Sequence, residues 1–462
     1  MGAGVSNWRL ARAVSRCGQL GVVSGTALDQ ILARRLQDGD PGGDMRRALD
    51  RFPFPQMAER IWKTYYVPGG KTEMESYKSL PSHAQASPRE LQELCIVANF
   101  VEVDLAREGH GNPVGINYLE KIQLPHLPSL YGAMLAGVGY VLVGAGIPLK
   151  IPGVLDSLTE HRRATYPLHV TGALEGEDAA MEFAPSEFME RDLPPLARPK
   201  FLAIIASNVL AATILKRANG KVDGFVIEGP TAGGHNAPPR GKLQLDEAGD
   251  AIYGERDRVD LEKIRELGLP YWLAGGYGSP EKLREALAAG AAGIQVGTAF
   301  AYCAESGLRS DYKLAILQKV VSGEARVATN ATASPTNFPF KVVQLEGTLS
   351  EEQEYLARHR VCDLGFLREA YRTEQGEIDY RCSAEPVTVY VSKEGKAENT
   401  VGKRCLCNAL MATIGLPQVR TGKFMEKGLV TSGNDLTKLE HFLPEGGELN
   451  YTAADVLAKL QS

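Results

Sequence analysis

The sequence predicts an α/β protein built on a (β/α)8 TIM barrel, carrying an inserted subdomain and a mainly helical C-terminal extension. Short apolar runs alternate with helix-like segments between Leu20 and Thr298, the pattern of parallel βα units. The last two runs end in glycine turns, Ala274-Gly275-Gly276-Tyr277-Gly278-Ser279 and Gln295-Val296-Gly297-Thr298. A chain of 462 residues, 44% hydrophobic and 23% charged, has room for a barrel of roughly 250 residues plus additions.

Seven strands are expected, at 19–23, 113–116, 139–143, 201–206, 224–227, 271–274 and 293–296. An eighth would have to come from residues 1–5, where Gly2 and Gly4 suit the end of a strand better than a whole one. Before the second strand, Ser87-Pro88-Arg89-Glu90 reads as a capping box, and Leu91, Leu94, Cys95, Ala98, Val101 and Leu105 follow at helical spacing until Gly109. Ser279-Pro280-Glu281 opens another helix, which stops by Gly290.

Two segments interrupt this rhythm. Residues 25–86 are too long for a connection and read as an inserted subdomain or lid; residues 168–199 read as a hairpin, 168–173 with 180–184, around the acidic turn Glu175-Gly176-Glu177-Asp178. The barrel domain is thus 1–304 and the extension 305–462.

A net charge of -5 gives no basic footprint for nucleic acid, and no apolar stretch is long enough to span a membrane, so small molecules are the expected partners. Seven cysteines without a secretion signal imply a reducing compartment, with the cytoplasm as default.

The chemistry concentrates at Ile227-Glu228-Gly229-Pro230-Thr231-Ala232-Gly233-Gly234-His235-Asn236. Here a strand ends in a glycine turn that presents one histidine, a side chain suited to proton transfer near neutrality; a surface-loop histidine is the alternative. The glycine turns after the last two strands suit a phosphate, through backbone N–H groups and helix N-termini. No G-x-G-x-x-G follows the first strand, which disfavours a Rossmann dinucleotide site and favours a mononucleotide such as FMN.

Taken in order, Gly115-Ile116-Asn117, Val143-Gly144-Ala145-Gly146-Ile147-Pro148, Glu228 to His235, Gly275-Gly276 and Gln295 to Thr298 resemble the nitronate monooxygenase (2-nitropropane dioxygenase) family. They are similar also to flavin-dependent enoyl reductases, including the trans-acting ones of polyunsaturated fatty-acid and polyketide pathways. The resemblance implies an FMN-binding barrel in which Asn117 and Gln295 bond the flavin ring or ribityl region. Gly234, Gly276, Gly297 and Thr298 then surround the ribityl chain and phosphate, and His235 is the catalytic residue.

Oxidation of alkyl nitronates with O2 is the first reading that follows from it; NAD(P)H-dependent reduction of enoyl thioesters is the alternative. The tail Asn236-Ala237-Pro238-Pro239-Arg240-Gly241 is longer than the turn typical of nitronate monooxygenases and resembles the trans-acting reductases. A third reading is a non-catalytic flavin- or metal-containing interaction protein. A homo-oligomer is compatible with any of them.

Cys362, Cys382, Cys405 and Cys407 make a candidate set for zinc or an iron–sulfur cluster, although they lack C-x-x-C knuckles and buried cysteines also serve as small hydrophobes. Cys17, Cys95 and Cys303 read as core. His110 and His126 read as helix-end and loop-packing residues.

Overall fold

The computed structural model describes residues 2–247, 249–422 and 424–462. Seven parallel strands form one curved sheet, β1 Gly21–Ser24, β2 Val114–Leu119, β3 Tyr140–Gly144, β4 Lys200–Ile205, β5 Gly224–Glu228, β6 Tyr271–Ala274 and β7 Gly293–Gln295, each paired with its neighbour in sequence. Alternate residues of these strands go to different layers, as the two-residue period requires. Leu142, Leu202, Val226 and Ala274, with Val22, Ile204 and Trp272, fill the concave side. Val23, Ile116, Val143, Phe201, Ala203, Phe225, Ile227 and Leu273 join the main core beneath the helices.

The barrel class follows the sequence, with seven strands rather than eight. Among the described residues no strand joins β7 to β1. Met1, part of the segment read as an eighth strand, lies outside the described residues; residues 3–5 form a turn, with Gly4 at φ +65°. That backbone is anchored rather than paired as a strand: Ser24 donates to the carbonyl of Ser6, and Gly307 to that of Val5.

Local signals fared unevenly. Ser279 caps the helix Pro280–Ala288 by accepting from Lys282 N. Ser87 does not cap Arg89–Arg107: Pro88 is the N-cap, and the Ser87 hydroxyl instead closes a turn onto the backbone of Ala84. The hairpin expected over 168–173 and 180–184 is shifted, because Ala164–Pro167 pairs with Ala180–Phe183. Val170–Thr171 instead runs parallel to Glu369–Arg372 in the extension.

The insertion contributes the helices Leu28–Gln37, Asp44–Leu49 and Pro55–Tyr65, which pack under Arg89–Arg107, followed by a strap over 66–87. The extension carries more strand than its composition suggests. Val327–Asn330 (β8) pairs with Phe340–Val343 (β9), and two further short antiparallel pairs follow between helices. Strap and extension are sewn together by Gln418, whose side chain exchanges hydrogen bonds with the backbone of Tyr77. Arg34 of the insertion donates to the carbonyl of Leu416 at 2.6 Å.

Inside the extension, Arg358 grips Glu426 through two bonds of 2.7 and 2.8 Å, and Arg420 bridges Glu426 to Asp363. Arg358 and Glu426 are 4% and 1% exposed at the side chain, so removing the carboxylate strands a buried guanidinium. Glu426→Ala is expected to cost about 3–5 kcal/mol, read as a lower denaturant midpoint. A change below about 1 kcal/mol would show that water replaces the carboxylate.

Candidate functional site

The C-terminal ends of the strands converge on two adjoining cavities. Register places Asn117 beside Ser24 and Leu142, and Glu228 beside Ala274, itself paired with Gln295. The first cavity, about 300 Å³, is lined by Asn117, Gly144 to Ile147, Glu228, Gly234, His235, Asn236 and Gln295. The second, about 380 Å³, is lined by Glu228, Gly234, Gly275 to Gly278, Gln295, Gly297 and Thr298. Every residue expected at the cofactor or reaction centre therefore borders one cavity or the other.

The loops after β6 and β7 suit the approach of a ligand. Gly275 and Gly276 adopt φ +85° and +77°, backbone that a side chain would strain. A Cβ at Gly234 or Gly297 would meet no protein atom within 4 Å, so both face open space. Asn236 is buried; its amide donates to Ala232 O, and its Oδ1 has no partner among the described residues. A buried acceptor without a donor, a glycine cradle and an amide at Gln295 fit a planar, phosphate-bearing ligand of the flavin mononucleotide type.

The C-terminal segment lies over this cradle. Gly433 N donates to Thr298 Oγ1, and a Cβ on Gly278 would come within 3.2 Å of the Asp435 carboxylate. An anion is disfavoured beside that acid, which leaves the backbone of Gly276 and the open space at Gly297 to receive it.

His235 is fixed from the extension. Its Nε2 lies 2.7 Å from Ser334 Oγ, and its ring packs edge-on to Phe340 at 4.9 Å. Its loop is bonded to β9, with Lys341 N donating to Gly234 O and Asn236 N to Pro339 O. Burial, with the Lys121 cation second, pushes the imidazole down to about 3, so His235 is neutral at pH 7. Lys121 itself lies over the Phe338 ring and is pushed down to about 8 by burial. Burial pushes Glu228 up to about 7. Ser334, Phe340, Lys121 and Glu228 are site residues to which sequence reasoning gave no role; only Glu228 carried a signal, as part of the strand-tip motif.

The histidine makes stability depend on pH in a definite direction. Its pKa falls from 6.5 to about 3 on folding, so the unfolded chain binds the extra proton, and the contribution present above 6.5 is lost as pH falls toward 3. Between pH 7 and 5 the loss is about 2 kcal/mol. Glu228, Glu120 and His126 also titrate across this window in both proteins, so the slope is read as a difference: on going from pH 7 to 5, chemical denaturation should show the wild type losing about 2 kcal/mol relative to His235→Gln.

The outer wall of the first cavity is the apolar set Phe338, Phe340, Phe366, Leu367, Leu406, Leu410 and Met411, all from the extension. The lid expected of 25–86 is thus supplied largely by the extension; the insertion gives only Thr26 and Ala27. Cys407 also borders this cavity. Cys362, Cys382, Cys405 and Cys407 do gather in one small cluster with Ala384, and all are free thiols. Burial pushes Cys405 and Cys407 up, while a hydrogen bond from Cys382 lowers Cys362. They do not close to ligand spacing: among the described residues, the set of three metal-ligating groups within 4.8 Å of one another is Asp29, His83 and Cys95. Arg240 donates to the backbone of Ala206 at the edge of the site. No helix is long and apolar enough to cross a membrane.

The sequence model of the nitronate monooxygenase family matches residues 196–331. A nitronate monooxygenase of Pseudomonas aeruginosa is 29% identical over 203 residues, 42% of this chain and 52% of that protein. One of Paraburkholderia phytofirmans is 34% identical over 131 residues, 28% of this chain and 32% of that protein. A Mycobacterium tuberculosis protein named as a dehydrogenase of a hydroxy-methyl-oxo-octahydroindene-carboxyl-CoA is 28% identical over 159 residues, 34% of this chain and 39% of that protein. The chain thus spans about half or less of the length of the curated relatives it matches.

Proposed function

We propose that this chain, whose residues 196–331 match the nitronate monooxygenase family model, is an FMN-dependent oxidoreductase that reduces enoyl thioesters with NAD(P)H. The observation that carries the reading is the apolar chamber of about 300 Å³ beside His235, walled by phenylalanines and leucines of the extension. A small alkyl nitronate has no use for such a wall; the acyl part of a thioester does. A relative named for a CoA thioester supports the same substrate class.

Asn117, Asn236 and Gln295 would hold the polar edge of the flavin, and Gly234, Gly276, Gly297 and Thr298 its ribityl and phosphate end. Bound FMN supplies the two-electron redox chemistry that no side chain here offers. His235 stays neutral. With Ser334 donating to Nε2, Nδ1 carries the ring proton and is the nitrogen left to bond a thioester carbonyl. Glu228, pushed up to about 7 by burial, retains a proton near neutrality and is the candidate source for the substrate α-carbon. The apolar wall excludes water around both groups.

Nitronate oxidation with O2 is the second reading, favoured by the family match and by a neutral imidazole able to accept a proton. The flavin-loaded protein separates the two. Consumption of NADH or NADPH should depend on a 2-enoyl thioester, with kcat/KM rising about fourfold per added CH2 until the chamber is full. Oxygen uptake with an alkyl nitronate and no thioester-dependent turnover would replace the first reading by the second. Turnover of neither substrate class would leave the non-catalytic alternative.

A further inference from the structure

We propose that Asp29, His83 and Cys95 form a structural binding site for one divalent metal ion of the borderline-soft class to which Zn2+ belongs. The three residues come from separate parts of the chain: the helix Leu28–Gln37, the strap over 66–87 and the helix Arg89–Arg107. They are 3%, 4% and 1% exposed, and one ligand atom of each lies within 4.8 Å of the other two. His83 Nε2 is 2.8 Å from Asp29 Oδ2 and 3.9 Å from Cys95 Sγ. A tetrahedral zinc ion sets those separations near roughly 3.4 and 3.6 Å, so small side-chain shifts complete the geometry.

Two arguments favour an ion over a polar cluster of some other purpose. The first is charge. With an ion bound and the thiol's proton released to solvent, one carboxylate, one thiolate and one neutral imidazole sum to -2, which a divalent cation cancels, so the occupied site buries no net charge. Sulfur, nitrogen and oxygen together select borderline-soft ions over magnesium or calcium.

The second is which ring nitrogen is used. In a nucleophilic Cys-His-Asp relay the carboxylate holds one nitrogen and the thiol faces the other. Here both groups face Nε2, so no proton can pass from thiol to carboxylate through the ring; convergence on one nitrogen is what a shared ion requires.

Space for a water lies on the Asp29 side of the cluster. A cavity of about 10 Å³ adjoins Asp29 and is also bordered by Asn99 and Ser129, room for about one water. His83 in turn packs against Phe366, which lines the first cavity, and Arg368 donates to the His83 carbonyl. The ion would therefore pin strap to helix behind the wall of the substrate chamber without touching the chamber itself.

Elemental analysis of the full-length protein, dialysed against a weak chelator and then given Zn2+, should find about one zinc per chain. His83→Gln and Cys95→Ser should lose it, whereas Cys362→Ser and Cys407→Ser should keep it. If the first two variants do not fold, the wild type still decides. One equivalent of Co2+ should give thiolate-to-cobalt charge transfer and intense tetrahedral d–d bands to the red of any flavin absorption, and the loaded protein should melt higher. No stoichiometric metal and no such bands in the wild type would overturn the proposal. So would bands that survive in Cys95→Ser or vanish with the C-terminal cysteines.

Discussion

Gly297→Val should fold like the wild type and purify without flavin. Gly297 sits at φ -113°, outside the left-handed region that favours glycine, and a Cβ there meets no protein atom within 4 Å. The added Cβ therefore clears the protein's own atoms, and the side chain takes up space beside the second cavity, where the phosphate end of the ligand is assigned. FMN affinity should fall at least about 100-fold, or about 2.7 kcal/mol, with the melting temperature of the flavin-free protein unchanged. Fluorescence titration with FMN and the visible spectrum of the purified protein measure both halves. Gly276→Val is the contrasting case: at φ +77° and with Thr231 Oγ1 3.0 Å from the added Cβ, it should lose flavin and stability together. Full flavin content in Gly297→Val would move the ligand away from the loop after β7.

The barrel was legible because its strands are buried on both faces. Residues 139–143, 201–206 and 271–274 read as unbroken apolar runs, and the strands observed differ from them by a residue at most. The glycine turns were equally plain, since a strand-to-helix turn and a phosphate cradle make the same demand for missing side chains. What completes the site was not legible. Ser334 and Phe340 lie about a hundred residues beyond His235 and act on it only because β9 pairs with its loop. Local patterning carries no trace of such long-range pairing.

Asp435 shows the same limit from the opposite side, an acid beside a predicted anion site that nothing near Gly278 announces. Asp29, His83 and Cys95 have no spacing motif either, and Cys95 read as core from its helical period. The insertion reads as a lid because its length breaks the βα rhythm, yet length says nothing about where a segment folds back. Its helices cover the outside of the barrel while the extension, helical and less apolar in sequence, supplies the roof.

The histidine beneath that roof gives the largest expected loss of activity. His235→Ala should lower kcat by roughly 100- to 10,000-fold, the range for a positioned acid–base or carbonyl-binding group. Flavin content should be retained, because the ring is one wall of the first cavity and the assigned phosphate loops border the second. Ser334→Ala should produce a smaller fall of roughly tenfold. It removes the hydroxyl that holds Nε2 at 2.7 Å but leaves the ring wedged against Phe340.

The two variants differ further in pH dependence. Without Ser334 the imidazole loses the bond that fixes its tautomer, yet burial still holds its pKa low. The Ser334→Ala profile should therefore keep the wild-type shape at reduced height, with no new acid limb near 6.5. His235→Gln keeps a donor of similar reach and should recover part of the activity if the role is hydrogen bonding, and none if the ring must accept a proton. Steady-state kcat and kcat/KM for wild type, His235→Ala, His235→Gln and Ser334→Ala, on both the thioester and the nitronate, decide between those roles. Wild-type kcat in His235→Ala on either substrate would remove the imidazole from the chemistry of that substrate.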